Sequence, residues 1–424
     1  GKGSHRIFIP YFQLLIQINN GDLSKTEIVW FYPASMTQNR FNKFKAEWEN
    51  TFATLFGAPI SNIIAASESV APYYYHKAKK GATSTVVSVD IGGGTTDVLI
   101  VDKGEPKYLT SFRFAANTIF GDGYSYDSDS NGFVNKYKDI ITNQLETNNL
   151  RGLKAVLKSV LDKRVSTDVI AFLFSLASNK EIKKEKVEIN FAKMLADDNR
   201  GKYVVILFYV AIVYHIAKLM KAKGFDMPRH MTFSGNGSKV LNILSTNDAT
   251  LVRLTKIIFE EIYAQSYSID GLDIIRPANS KESTCKGGII LTPFQSQDYG
   301  EIKDMKTILI GTDNEKFADV HMTYNDVTEA DLDSVVDVIK EYIEFTFKLD
   351  KKFSFYDNFD VDRSIMNKVK DLCYRDIRTY LENGLAIKKS EIAQDGADDN
   401  LEETLFFYPL VGIINAVVRN IYQM

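Results

Sequence analysis

The alternation of apolar and polar positions divides this chain into helical and extended stretches. Residues 7–20 (IFIPYFQLLIQINN) read as a helix stopping near Gly21, and Ile28 to Tyr32 as a buried strand ended by Pro33. Phe41, Phe44, Trp48, Phe52 and Leu55 fall at helical spacing within Thr37 to Phe56, and Gly57 closes that helix. Asn62 to Ala66 is a short strand and Glu68 to Lys80 a helix. Three strands at 84–90, 97–102 and 107–114 follow as a meander, and the region from about 133 to 222 is largely helical. Met231 to Phe233 is a strand running into Ser234-Gly235-Asn236-Gly237-Ser238. Helical segments at about 238–245 and 249–264, a strand from Leu272 to Ile275 and a helix from Ser280 to Leu291 come next.

The later part of this order reads β-β-β, helices, β, helix, β, helix. The earlier part reads helix, β, helix, β, helix, as though three opening strands were missing. Beyond residue 295 the pattern is helical again. Glu329 to Leu349 carries Leu332, Val335, Val336, Ile339, Tyr342 and Ile343 on one face, with Thr328 placed to cap its start. Asp362 to Glu382 carries a second such face and stops near Gly384. The acidic stretch Asp395 to Glu403 reads as an exposed loop. The expected division is 1–82, 83–295 with a helical insertion at about 133–222, and a mainly helical 296–424 without a chemical motif.

Composition narrows the classes. A length of 424 residues suits about two to three domains. Hydrophobic content of 45% and charged content of 25% are those of an ordinary soluble globular chain. A net charge of −3 gives no electrostatic case for nucleic acid or an anionic membrane. Cys285 and Cys373 lie far apart and the five histidines fall in no ligand spacing. A disulfide framework and zinc chemistry are therefore not expected, and a reducing, cytoplasmic compartment is. The uncharged runs Tyr203 to Ala217 and Thr404 to Val418 are shorter than the ~20 residues of a spanning helix. They are expected as buried core helices, and His215 within the first as a core histidine. No signal peptide is visible, and Gly1 to His5 resembles an expression remnant.

The densest candidate chemistry is Asp90-Ile91-Gly92-Gly93-Gly94-Thr95-Thr96-Asp97, which joins a strand to a strand. A Rossmann fingerprint or a Walker A loop joins a strand to a helix, so this is neither. Three glycines let backbone N–H groups crowd around an anion, and two threonine hydroxyls add donors. Asp90 at the strand end suits a Mg²⁺ water shell. A Gly-rich hairpin turn without a ligand is the plain alternative.

Four stretches together resemble the actin/Hsp70/sugar-kinase ATPase superfamily: Asp90 to Asp97, its second phosphate loop; Ser67-Glu68-Ser69-Val70-Ala71, the connecting segment before it; Thr232 to Ser238, its adenosine-binding turn; and Asn279 to Ile289, the helix after its last strand. They occur in the family's order within residues 7–291. The resemblance implies an α/β fold of two RNase H-like domains, the first incomplete here, with ATP or ADP and Mg²⁺ in the cleft between them. The family's first phosphate loop is expected before residue 7, and the residues given supply none there. Asn236 stands where a Gly is common; Asn tolerates the left-handed conformation, so the turn is expected to survive.

By that resemblance Asp90 holds Mg²⁺ through water. Gly92, Gly93 and Gly94 offer N–H groups to the phosphates, and Thr95 and Thr96 offer hydroxyls. Glu68 orients the attacking water, or is simply a carboxylate at a helix start. Gly235, Asn236, Gly237 and Ser238 pack against adenosine, Ser238 serving equally as a helix cap. Asp97 either joins the site or closes the turn locally. Lys286, Gly287 and Gly288 are expected in helix packing and surface charge. The implied function is ATP-Mg binding, with hydrolysis or nucleotide-gated closure in the intact protein. A filament or scaffold protein of bacterial actin type, with self-assembly, and a pseudo-ATPase interaction module are the alternatives. Protein partners are expected at the helical C-terminal region.

Overall fold

A computed structural model describes residues 5–32, 38–68, 70–80, 85–124, 131–268, 271–277, 280–290, 322–395, 401 and 403–424. The chain is mixed α/β, as expected, with a helical C-terminal region. Strands β1 (Ile28–Tyr32) and β2 (Ile63–Ser67) pair in parallel. Strands β3 (Val86–Ile91), β4 (Thr96–Asp102) and β5 (Glu105–Phe112) form the meander; β6 (His230–Ser234) and β7 (Asp273–Ile275) extend it. The sheet order is β5-β4-β3-β6-β7, antiparallel through the meander and parallel from β3 to β7.

Strand alternation assigns this sheet two faces. Val87, Val89, Ile91, Val98 and Ile100 face a large core shared with helices Lys202–Ala222, Asp248–Tyr263 and Phe407–Asn420. Val86, Leu99 and Val101 face helix Val70–Lys80 through Val70, Ala71, Tyr73 and Tyr74. Helix Ser280–Ile290 lies on Val70–Lys80, with no room for a Cβ at Gly287 beside the Ala71 carbonyl. Lys286 pairs with Glu282 on the exposed side. Helix packing and surface charge thus account for this segment.

Around β1 the aromatic stripe packs as Trp30, Tyr32, Phe41, Phe44, Trp48, Phe52 and Phe56. Leu55, expected in that stripe, is exposed; Phe56 takes the inward place. The uncharged run Tyr203 to Ala217 lies in the longer helix Lys202–Ala222, which is long and apolar enough to cross a membrane by length and composition, and 94% of its most apolar stretch is buried. It is covered on one side by the sheet and on another by C-terminal helices: Tyr342 donates to the Leu207 carbonyl at 2.6 Å, and Phe406 stacks on His215. A helix surrounded in this way has no polar face to keep.

Three C-terminal expectations change. The capping box at Thr328 and Asp331 is present, and its helix runs to Phe353. The helix expected over Asp362 to Glu382 is instead two, Met366–Cys373 and Ile377–Asp395, separated where Asp376 turns left-handed at φ 56°. Gly384 does not stop the second helix but lies inside it, where a Cβ would sit 2.6 Å from the Tyr124 hydroxyl. In the acidic stretch before residue 404, Leu401 and Glu403 are buried rather than exposed. The Glu403 carboxylate accepts from the Arg113 N–H at 2.9 Å and from the Tyr408 hydroxyl at 2.9 Å. Residues 396–400 and 402 of that stretch lie outside the described residues.

Candidate functional site

The glycine loop is a hairpin between β3 and β4, closed by the Gly92 N–H on the Thr95 carbonyl at 2.9 Å. The chain after β5 holds it from behind. Ala116 N–H donates to the Gly92 carbonyl at 3.2 Å and Asn117 N–H to the Gly93 carbonyl at 2.8 Å. Thr96 is fully buried and its hydroxyl donates to the Phe114 carbonyl at 2.6 Å. That hydroxyl braces the loop. Thr95 is half-buried, and Gly93 and Gly94 are exposed. Among the described residues the N–H groups of Gly93, Gly94 and Thr95 have no acceptor within the protein.

The fold does not demand glycine at the tip. Neither Gly93 nor Gly94 has a left-handed φ. A Cβ at 94 would meet nothing within 4 Å, and one at 93 would meet only Asn117 at ordinary contact distance, 3.6 Å. These positions carry no side chain although there is space for one. The result is a turn with open, unpaired N–H groups, a geometry that takes an anion.

The registers place a polar row across four strands. Ser111 on β5 lies opposite Asp97 on β4, Asp97 opposite Asp90 on β3, and Asp90 opposite Ser234 on β6. The Ser111 hydroxyl donates to the Asp97 carboxylate, and the Ser234 hydroxyl to Asp90 Oδ2 at 3.1 Å. Two carboxylates directly opposite in a sheet repel, and the flanking hydroxyls offset part of that cost. Asp97 is buried, Asp90 only partly so. Asp97 therefore braces the hairpin through Ser111, and Asp90 is the more open carboxylate. By alternation the row shares the sheet face of Leu99 and Val101, the face covered by helix Val70–Lys80.

Glu68 lies two residues before that helix, which starts at Val70 rather than at Glu68 as expected. It is exposed, its N–H donates to the Tyr32 carbonyl at 3.0 Å, and its carboxylate bonds to no described residue. The second loop, after β6, packs on the first. Gly235 has φ 79°, and a Cβ there would lie 2.2 Å from the Ile91 carbonyl oxygen and 2.4 Å from Asp90 Oδ1. A Cβ on Gly237 would lie 2.2 Å from the Gly92 carbonyl oxygen. The left-handed residue is thus Gly235, not Asn236, which is exposed at the head of a short 3-10 helix. Ser238 closes this turn through its hydroxyl on the Gly235 carbonyl at 2.8 Å.

The structure brings together Asp90, Gly92, Gly235 and Gly237 by direct contact, with Gly93 to Thr96 in the same hairpin. Ser111 and Asn117 also belong to this assembly, outside every motif of the sequence, and so does Ser234, which falls within the Thr232 to Ser238 turn but has no role assigned there. For the two serines the signal is the strand register, which places each hydroxyl opposite a carboxylate; Asn117 lies on the helix Ala116–Phe120, outside that register. Among the described residues no group of three or more His, Cys, Asp or Glu side chains gathers to hold a metal unaided. An ion at Asp90 would therefore need water and ligand oxygens to complete its shell.

No protein-family profile matches this chain and no curated protein matches it. Among solved structures it is similar to ethanolamine utilization protein EutJ from Carboxydothermus hydrogenoformans, with 12% sequence identity over 67% of this chain and 74% of that one. The TM-score of 0.28 is too low for that likeness to bear on family or function.

Proposed function

We propose that this chain is one jaw of a nucleotide clamp of the actin/Hsp70/sugar-kinase kind, binding ATP or ADP with Mg²⁺. In this reading residues 83–295 form a complete RNase H-like unit and residues 1–82 the remainder of a second. The observation that carries it is the set of unpaired N–H groups at Gly93, Gly94 and Thr95, two of them on glycines the fold has no need of. The sheet order and the glycine-tight second loop support it.

Each residue then has a task. Gly93, Gly94 and Thr95 donate N–H bonds to phosphate oxygens, and the Thr95 hydroxyl adds a donor. Asp90 holds the ion's water shell, kept in place by Ser234. Gly235 to Ser238 form the floor for the nucleoside. Thr96 and Asp97 stiffen the hairpin. Glu68 is the free carboxylate for orienting a water. ATP-Mg supplies a transferable phosphoryl group, and such transfer depends on positioning and charge neutralisation. Opening and closing with nucleotide, and hydrolysis, would take place between the two RNase H-like units.

Calorimetric titration of ATP-Mg into the full-length protein tests this. Wild type is expected to bind and Asp90→Ala to bind about 2–4 kcal/mol more weakly, the cost of losing one preorganised electrostatic contact. Equal affinity in the two proteins overturns the reading.

A further inference from the structure

Asn117 stands behind the glycine loop with a side chain that the fold does not use. Its N–H is committed to the Gly93 carbonyl at 2.8 Å, so its backbone is fixed to the loop. Its carboxamide lies beside Gly93: a Cβ at 93 would be 3.6 Å from Oδ1 and 3.7 Å from Nδ2. The side chain is exposed and, among the described residues, makes no hydrogen bond. It does not cap the helix Ala116–Phe120, whose start has no side-chain cap. Three polar side chains around the loop are by contrast engaged: Thr96 on Phe114, Ser111 on Asp97, Ser234 on Asp90.

We propose that Asn117 is a ligand-binding residue of this loop, its Nδ2–H donating to a phosphate oxygen seated over Gly93 and Gly94. The inference rests on the reading of the loop as a polyphosphate cradle, and adds a side-chain amide donor to its three N–H groups and the Thr95 hydroxyl. An amide suits the place for an electrostatic reason. Asp90 already brings one negative charge to this end of the sheet, and a carboxylate at 117 would repel an incoming phosphate. A neutral donor strengthens anion binding without needing a counter-charge.

ATP-Mg binding by full-length wild type, Asn117→Ala and Asn117→Asp, with melting curves for each, tests this. Unchanged melting is expected, with affinity about tenfold weaker in Asn117→Ala, the loss of one hydrogen bond to a charged group. Asn117→Asp keeps the shape but reverses the electrostatics, and a loss of about a hundredfold is expected. That order, with the near-isosteric variant the weaker binder, is one a packing role would not produce. Wild-type affinity in both variants overturns the inference and leaves the cradle reading standing. Absence of ATP-Mg binding by wild type overturns both.

Discussion

His215 ties the stability of this protein to pH. Its ring lies among Phe112, Phe406 and Phe407, its Nδ1 has no hydrogen-bond partner, and burial lowers its pKa from 6.5 to about 3. The unfolded chain takes up the proton below pH 6.5, whereas the folded chain stays neutral until about pH 3. Stability is therefore intact above pH 6.5 and falls as pH drops from there toward 3. Between pH 7 and pH 5 the loss is about 2 kcal/mol. His215→Phe, which keeps the aromatic packing, should lose that component when denaturant midpoints are compared at the two pH values. An unchanged pH slope would contradict it. That His215 belongs to the core was legible from its uncharged surroundings. That Glu403 does was not: its partners Arg113, Tyr408 and Lys388 include one nearly three hundred residues away, and its local context is a run of acids.

At the scale of elements, periodicity located the strands and most helices to within a few residues, and strand-to-strand context singled out the glycine hairpin. Contacts between elements were not legible. The second loop needs glycine because it touches the first, and nothing along residues 232–238 says that Gly237 abuts the Gly92 carbonyl. Likewise the break at Tyr374–Asp376 interrupts an unbroken apolar period, and Gly384 is a crossing point rather than a stop. Gly237→Ala forces a methyl into backbone 2.2 Å away. It is expected to destabilise the protein by about 1–3 kcal/mol, as overpacking does, read as a lowered urea midpoint. A midpoint at the wild-type value would show that the two loops do not touch.

Over the whole molecule, the meander, the helix Lys202–Ala222 and the C-terminal helices share one core. Phe407 stacks on Phe112 and packs on Phe114, the two aromatics that end β5 and lead into the segment bracing the glycine loop. The C-terminal region is thus part of what holds the candidate site, a relation invisible in a chain where they are separated by almost three hundred positions. What the sheet and its helices maintain is a rigid hairpin whose tip is left bare. On the proposed function, Gly94 is bare for a ligand, at some expense in stability. Gly94→Ala adds a methyl where nothing lies within 4 Å and where φ is not left-handed. It should raise stability by about 0.4–1 kcal/mol through the unfolded chain. In the same full-length protein, the methyl should weaken ATP-Mg binding by about tenfold or more, as a preorganised donor is pushed away from its phosphate. Stability up and affinity down is the expected result; a stabilised variant that binds ATP-Mg as wild type does would contradict the claim.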